Sequence, residues 1–573
     1  MNLTVITPTD LVIKDTLYMS KIRLFIIILR LIVTFLLRIV SSILHKKTAP
    51  NSAQSCANWV KPKNARFNID YNSVFALIIV DQMHHKTTVI LGIDIGTSGI
   101  RGCLVERDLN SNNEQILLQH NQSMALPDNA DNDQNGVSVQ DPRIWIETLN
   151  RVLRQLSVDF DLQRVEHLVC DATSSTVLLA DSELKPITKA LMYNDSQAKA
   201  EAQRIASLCQ NLNIETAASG ASSTLAKALL LINRAALSTR PSKDDAKSVK
   251  ILHQIDLVNH YLADFDYISD ENNALKLGYD SIAQTWPDWV VNLIEQDSSN
   301  RLSLPQIVSS GTCLGRVKTS IAQRYGINQS ARLYAGTTDS IAGFLATGAH
   351  KTGDAVSSLG SSIAVKLVTD KPVFSSQFGL YSHKLKSAWL VGGASNCGGL
   401  SLLQFYDLVV LIKLLELIKL LHNKQDYQKQ SDCYPLIKTG ERFPIADSDK
   451  KAVLPEYIAM AKNIDTERID EILNAARSTN HLSEQQQAYI APHIDNILHL
   501  INGLVNIETL SYQRLSEMSG TQVNRLFSIG GGLQNEIWMA LRGLHFKTLH
   551  SSLMNNTSTD GSAALGVTRL IEF

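Results

Sequence analysis

The sequence lacks every spacing by which cysteines cooperate. Its seven cysteines stand singly, at positions 56, 103, 170, 209, 313, 397 and 433, with no CxxC among them and an odd total. That excludes a zinc ribbon and a disulfide framework, and it points to a reducing, cytoplasmic compartment. Net charge is almost absent too, since 54 Lys and Arg face 55 Asp and Glu. No basic field is available to gather nucleic acid, so nucleic acid is not expected as a partner. Charged residues make up only 19% of the chain and apolar ones 44%, which suits packed cores and excludes global disorder. No short-period repeat is present. At 573 residues the chain has room for two to three domains of roughly 100–200 residues each.

One long apolar run exists, at residues 24–44, close to the ~20 residues of a membrane span. Arg30 and Arg38 interrupt it at positions that are costly inside a bilayer. Arg23, Arg30, Thr34, Arg38 and Ser41 fall on one helical face, so the segment reads as an amphipathic helix lying on a surface. It is the one route to membrane contact, peripheral on the inner face. No small-residue cleavage site follows it, which argues against a signal peptide. Met83 stands just before the first core strand, so residues 1–82 also read as an overextended start that is never translated. Both readings stay open.

Residues 45–75 are polar and read as linker. From residue 88 short apolar runs alternate with amphipathic stretches. Strands are expected at 89–95, 102–106, 165–170 and 177–180. Helices are expected at 141–159, 196–208 and 224–237, the first with Asp141 as N-cap and Pro142 in the first helical position. A second block begins near residue 352, with strands at 354–359, 363–368 and 388–391 and long helices from about 401. The pattern predicts an α/β protein: an extension at 1–86, a first domain at 87–350 and a second at 351–573. Residues 408–421 read as a buried helix with one wet stripe of Lys413, Glu416 and Lys419. Residues 463–493, polar and poor in large apolar side chains, read as a surface excursion.

The chemistry-bearing stretches are turns. Two apolar strands flank Gly96-Thr97-Ser98-Gly99, with Asp94 at the end of the first. Small residues there let backbone N–H groups close on an anion, the hydroxyls of Thr97 and Ser98 add donors, and Asp94 is placed to hold Mg²⁺ through water. A hairpin follows these glycines where a Walker loop or a dinucleotide fingerprint would have a helix. Asp339 follows Gly336-Thr337-Thr338 and opens a helix of small residues that Ser340 is placed to cap. A carboxylate there can take a proton from an attacking hydroxyl. A further strand–turn–strand holds Gly360, Ser361 and Ser362. Gly530-Gly531-Gly532-Leu533-Gln534-Asn535 opens a helix after a strand, fit for the adenosine side of a nucleotide.

These motifs, in this order, resemble the FGGY carbohydrate kinase family of the actin-like ATPase superfamily, from about residue 89 to 570. Asp94 to Arg101 is similar to the first phosphate motif, and Gly336 to Asp339 to the motif with the catalytic base. Leu359 to Ser362 is similar to the second phosphate motif, which usually has Thr in place of Ser361. Residues 529–535, with a later helix start at 559–566, match the adenosine region. Residues 171–176, 193–195, 219–223 with Lys227, 269–280 and 392–399 look like the ribulose/xylulose kinase branch. That branch usually has glycine where this chain has Ala172 and Ser175, and arginine where it has Gln197.

The resemblance implies two actin-like, ribonuclease H-like domains with the active site in the cleft between them. The first would bind sugar and phosphate, the second nucleotide. It implies transfer of the γ-phosphoryl of Mg·ATP to a terminal hydroxyl of a small ketose or polyol, D-ribulose or D-xylulose first among them. Asp339 is the expected base, and Asp94 serves the metal and touches the sugar. Gly96, Thr97, Ser98, Gly360, Ser361 and Ser362 hold phosphates, while Gly531, Gly532, Gln534 and Asn535 line the adenosine site. Ser98, Ser174, Asp195 and Asp270 contact the sugar. The expected assembly is a monomer or homodimer. Two other readings are a non-catalytic sugar or nucleotide sensor derived from a kinase, and a chaperone-type ATPase.

Overall fold

The computed structural model describes residues 87–572 apart from 112, 129–135, 236–247, 480 and 547–561. The expected extension at 1–86 lies outside the described residues, as do positions 559–561 of the last expected helix start. Asp81–Phe573 forms one compact unit.

The first half is built on a six-stranded mixed sheet. Its strands are β1 (Thr87–Ile95), β2 (Gly99–Asp108), β3 (Glu114–Ser123), β4 (Val165–Ala172), β5 (Cys313–Arg316) and β6 (Arg332–Thr338). They lie in the order β5-β6-β4-β1-β2-β3, with β1, β4 and β6 parallel and the β1–β2–β3 meander antiparallel. β1 reads as a near-continuous apolar run because both its faces are covered, and Ile90, Leu91 and Ile93 are fully buried. Helix α1 (Arg143–Asp159) buries Trp145, Leu149, Val152, Leu153 and Leu156 in this core. Its start falls one residue later than expected. Pro142 is the N-cap, and Asp141 outside it accepts from the amide of Arg143 at 3.0 Å. Proline has no N–H, so the first free helical donor is that of Arg143.

A smaller five-stranded sheet holds the strands Val177–Ala180 and Val249–His253. Helix α2 (Thr224–Arg234) packs on it, with Ser223 as a side-chain N-cap.

The second half likewise sets antiparallel strands, here four, beside a parallel strand. Its strands are β7 (Asp354–Leu359), β8 (Ile363–Thr369), β9 (Tyr381–Leu385), β10 (Ala388–Ala394) and β11 (Arg525–Ile529), in the order β9-β10-β8-β7-β11. Helix α3 (Asp339–Ala346) closes the first half and precedes them. Behind the second sheet lie α4 (Leu408–Leu421), α5 (Thr466–Thr479), the 36-residue α6 (Glu484–Ser519) and α7 (Glu536–His545).

Two expectations fail here. Residues 463–493 are no surface excursion: Ile469, Ile472, Leu473 and Ala476 of α5, with Ile490 of α6, enter the same core as α4. The few apolar residues of α5 fall on one face, so a polar composition still yields a packed helix. Helix α4 is not wholly buried either, because Leu408, Val409 and Ile412 are exposed, while its wet stripe holds, with Lys413, Glu416 and Lys419 paired to Asp470, Arg477 and Glu536.

The halves meet in a core of Ile90, Val169, Ile341, Phe344, Val356, Val368, Phe527 and Val567. Helix α8 (Ala563–Thr568), from the end of the chain, returns to pack on β1, β2, β4 and α3. A Cβ on Gly566 would lie 1.8 Å from the carbonyl of Ala342, and one on Gly92 would lie 1.8 Å from that of Ala564. Only glycine permits this approach. Among the described residues no helix is long and apolar enough to cross a membrane.

Candidate active site

The parallel strands β1, β4 and β6 end side by side, and each end supplies chemistry. Asp94 of β1 is in register with Asp171 of β4, and Asp171 with Thr337 of β6, two residues before Asp339. Three carboxylates therefore meet. Asp171 is fully buried, and burial, followed by the charges of Asp94 and Asp339, holds it well above the ordinary carboxylate range. Burial also raises Asp94, offset by a hydrogen bond from Asp171 and by Arg101, whose Nη1 lies 3.5 Å away.

Asp339 is raised by burial as well. The amide of Ser340, the cations Lys366 and Lys276, and the amide of Ser174 act against that rise. Thr338 holds the N-cap position of α3, so Asp339 is not spent as a cap, and Ser340 lies inside the first turn.

The Gly96–Gly99 turn closes with the Gly96 amide donating to Gly99 at 3.0 Å, and the Met124 amide donates to Ser98 at 2.9 Å. Beside it opens a concavity of about 370 Å³ lined by Asp94, Gly96, Ser98, Gly99, Arg101, Asn121 and Ser123. Thr97 sits half-buried on the same turn. Among the described residues no group of three His, Cys, Asp or Glu side chains is placed to hold a metal. The donor set fits Mg²⁺, which usually takes one or two carboxylates and leaves its other positions to water and phosphate. Asp94 would hold it, at the mouth of the concavity.

The expected sugar contacts are placed differently from one another. Ser174 lies beside Asp339, with its hydroxyl buried and without a protein partner. Asp195 is fully buried, accepting from the amide of Ser138 at 2.8 Å and from Gln197 Nε2 at 2.6 Å. Asp270 caps the short helix Glu271–Ala274, accepting from the amides of Asn272 and Asn273, and burial lifts it to about 6. Both carboxylates are thus occupied within the protein. Arg234 of α2 donates to Gln197 at 2.9 Å, so an arginine reaches position 197 at second hand.

Lys227, named above with residues 219–223, acts here beside Gln254, Lys366 and His383, which were not singled out from sequence. Lys227 of α2, fully buried, donates to the carbonyls of Ser175 and Met192 at 2.6 and 2.7 Å, tying two substrate-side loops together. Burial brings its ammonium down to about 7. Gln254 accepts from the amide and hydroxyl of Thr173. Lys276 and Lys366 stand near Asp339, and His383 near both lysines.

In the second half β7 and β11 run parallel, with Ser358 opposite Ile529, which sets two turns side by side. One holds Gly360, Ser361 and Ser362, with the Gly399 amide donating to Gly360 at 2.8 Å. The other holds the single turn Gly531–Gln534, with Gly531 and Gln534 exposed and Gly532 half-buried against Leu359. Asn535 caps α7 through the Trp538 amide at 3.0 Å. Beneath them Ser357 bonds to the buried Glu508, which Arg542 grips through two contacts of 2.7 Å.

Residues 89–346 match the model of the FGGY family of carbohydrate kinases, N-terminal domain. A xylulose kinase of Lactococcus lactis is 26% identical over 327 residues, which cover 55% of this chain and 60% of that protein. A xylulose kinase of Staphylococcus xylosus is 19% identical over 476 residues, covering 83% of this chain and 88% of that one. Among solved structures, the xylulose kinase of Rhodospirillum rubrum superposes with a TM-score of 0.62 at 16% identity, over 85% of this chain and 89% of its own. The chain has the two-domain, actin-like fold of these proteins.

Proposed function

We propose that the chain is a carbohydrate kinase of the FGGY family, whose N-terminal domain model residues 89–346 match, and that it transfers the γ-phosphoryl of ATP to a terminal hydroxyl of a small ketose or polyol. D-ribulose and D-xylulose are the first candidates. The observation that carries this reading is the meeting of Asp94, Asp171 and Asp339 at three adjacent strand ends, beside the Gly96–Gly99 concavity.

Asp339 takes the proton of the attacking hydroxyl, and the amides of Ser340 and Ser174 keep its carboxylate aimed. Gly96, Thr97 and Ser98 face the phosphates from residues 87–350. Gly360, Ser361 and Ser362 face them from residues 351–573, and Gly531, Gly532 and Gln534 border the adenosine. Ser98 and Ser174 contact the sugar directly, while Asp195 and Asp270 shape its loops. Mg²⁺ held by Asp94 would neutralise phosphate charge. Most of the rate then comes from positioning and fixed charge. The protein acts on free sugar in the cytoplasm. ADP release coupled to a reporter, over D-ribulose, D-xylulose, L-ribulose, ribitol and glycerol, tests the reading. Release that no sugar accelerates would refute it.

A further inference from the structure

We propose that Lys276 and Lys366 form a two-sided cationic clamp on the phosphoryl group as it passes beside Asp339. The proposal rests on the kinase reading above.

The clamp is assembled from both halves. Lys366 lies on β8, and its ammonium donates to the carbonyl of Ser340 in the first turn of the helix that Asp339 opens. Lys276 belongs to the first half, in the turn Leu275–Leu277, and its ammonium stands 5.5 Å above the ring of Tyr381 on β9. Lys366, Gly392 and Tyr381 are register partners across β8, β10 and β9, so the two side chains flank a residue that has none. A Cβ on residue 392 would lie 3.0 Å from Lys366 Cγ, and its absence keeps the space between lysine and ring open. His383 follows on the same face, 5.3 Å from Tyr381.

The charges are out of balance. Both lysines favour the ionised form of Asp339, yet each touches a neutral group: a carbonyl in one case, an aromatic ring in the other. Burial, with Lys276 beside it, brings Lys366 down to about 8, and burial followed by both lysines lowers His383 well below the ordinary imidazole range. Like charges gathered from two halves of a protein around one carboxylate cost free energy unless an anion joins them. A phosphoryl group is that anion. In the transfer the sugar oxygen forms its bond to the γ-phosphorus. The bond from that phosphorus to the ADP oxygen breaks, its electron pair leaves with ADP, and the hydroxyl proton goes to Asp339. Negative charge on the phosphoryl oxygens would be repelled by Asp339, and cations placed on both sides offset that repulsion.

The test uses the full chain with Lys276→Gln, Lys366→Met and Lys366→Arg. The readouts are kcat, KM for sugar, and affinity for Mg·ADP with and without aluminium fluoride, a planar mimic of the phosphoryl in flight. Each neutral variant is expected to lose kcat by about 10²-fold, the scale for one lost charge-stabilising donor. It should lose the extra affinity that fluoride confers by a similar factor and bind Mg·ADP alone as before. Lys366→Arg should recover part of both. If Lys366→Met does not fold, the loop variant Lys276→Gln carries the same comparison. Neutral variants that keep kcat, or lose Mg·ADP affinity as fully as affinity for the mimic, would overturn the clamp. A wild type that phosphorylates no sugar would instead sink the kinase reading, and an active wild type with unchanged variants only the clamp.

Discussion

The ammonium of Lys227 donates to the carbonyl of Ser175 at 2.6 Å, and Ser175 is a non-glycine residue held at a φ of 66°. A side chain in that left-handed region costs roughly 1–2 kcal/mol. The lysine therefore secures a strained turn whose neighbour, Ser174, points its amide at Asp339. Lys227→Met would leave the buried carbonyl of Ser175 unpaired, at about 1–3 kcal/mol, while that of Met192 keeps the amide of Asp195. We expect a lower midpoint in urea unfolding, and a sugar KM raised about tenfold or more with the KM for ATP little changed. An equal rise in both KM values would refute a role specific to the sugar loops.

Ser175→Gly should act in the opposite direction. Glycine adopts this φ without strain, and the change also removes a buried hydroxyl that has no protein partner. The expected gain is about 1 kcal/mol, the scale of the left-handed strain. A double-mutant cycle with Lys227→Met should show coupling, because the lysine matters less where the turn needs no restraint. Strict additivity would separate the two residues.

Burial lifts Asp339 above the ordinary aspartate range, and its hydrogen bonds and nearby lysines counter only part of the rise. A base must be ionised to accept a proton, so a raised pKa means that activity is lost earlier as pH falls. The acid limb of kcat/KM should lie above the ~3.9 of an unperturbed aspartate. Asp339→Asn should lower kcat by roughly 10²–10⁴-fold and leave ATP binding intact. A variant keeping more than about a tenth of wild-type turnover would remove Asp339 from this role, since general base catalysis supplies at least ~10²-fold.

A chain that begins at Met83 should fold and phosphorylate its sugar as the full chain does. Asp81–Phe573 forms its own compact unit, and every residue placed at the site follows Asp94. Comparing kcat and urea midpoint between the two chains checks this. A loss of either on truncation would make residues 1–82 a working part of the enzyme.

The glycine turns and strand ends were legible because local chemistry writes them directly. Small residues between apolar runs specify a hairpin wherever the strands end up, and the strands at 177–180 and 354–359 have the expected bounds. What sequence left dark was pairing at a distance. Asp171 is an aspartate at a strand end like many others until β4 slides between β1 and β6. Lys366 is an alternating strand lysine until the halves meet. Asp195, Asp270 and Asn535 show the converse, since their amide partners made caps and loop anchors of them. The helix α5 was misread because four well-spaced apolar residues outweigh a polar average once a partner helix lies alongside.

Helix α8 sets the order in which this protein can be completed on the ribosome. The slot it fills, between β1 and α3, belongs to residues translated more than two hundred positions earlier. Until the last dozen residues emerge, Ile90 and Ile341 lack the cover that Val567 and Leu570 later provide. The first half therefore waits through synthesis of the second with an open apolar seam. Nonsense codons near the 3′ end of the reading frame should for this reason damage the first half of the molecule, where Ile90 and Ile341 lie.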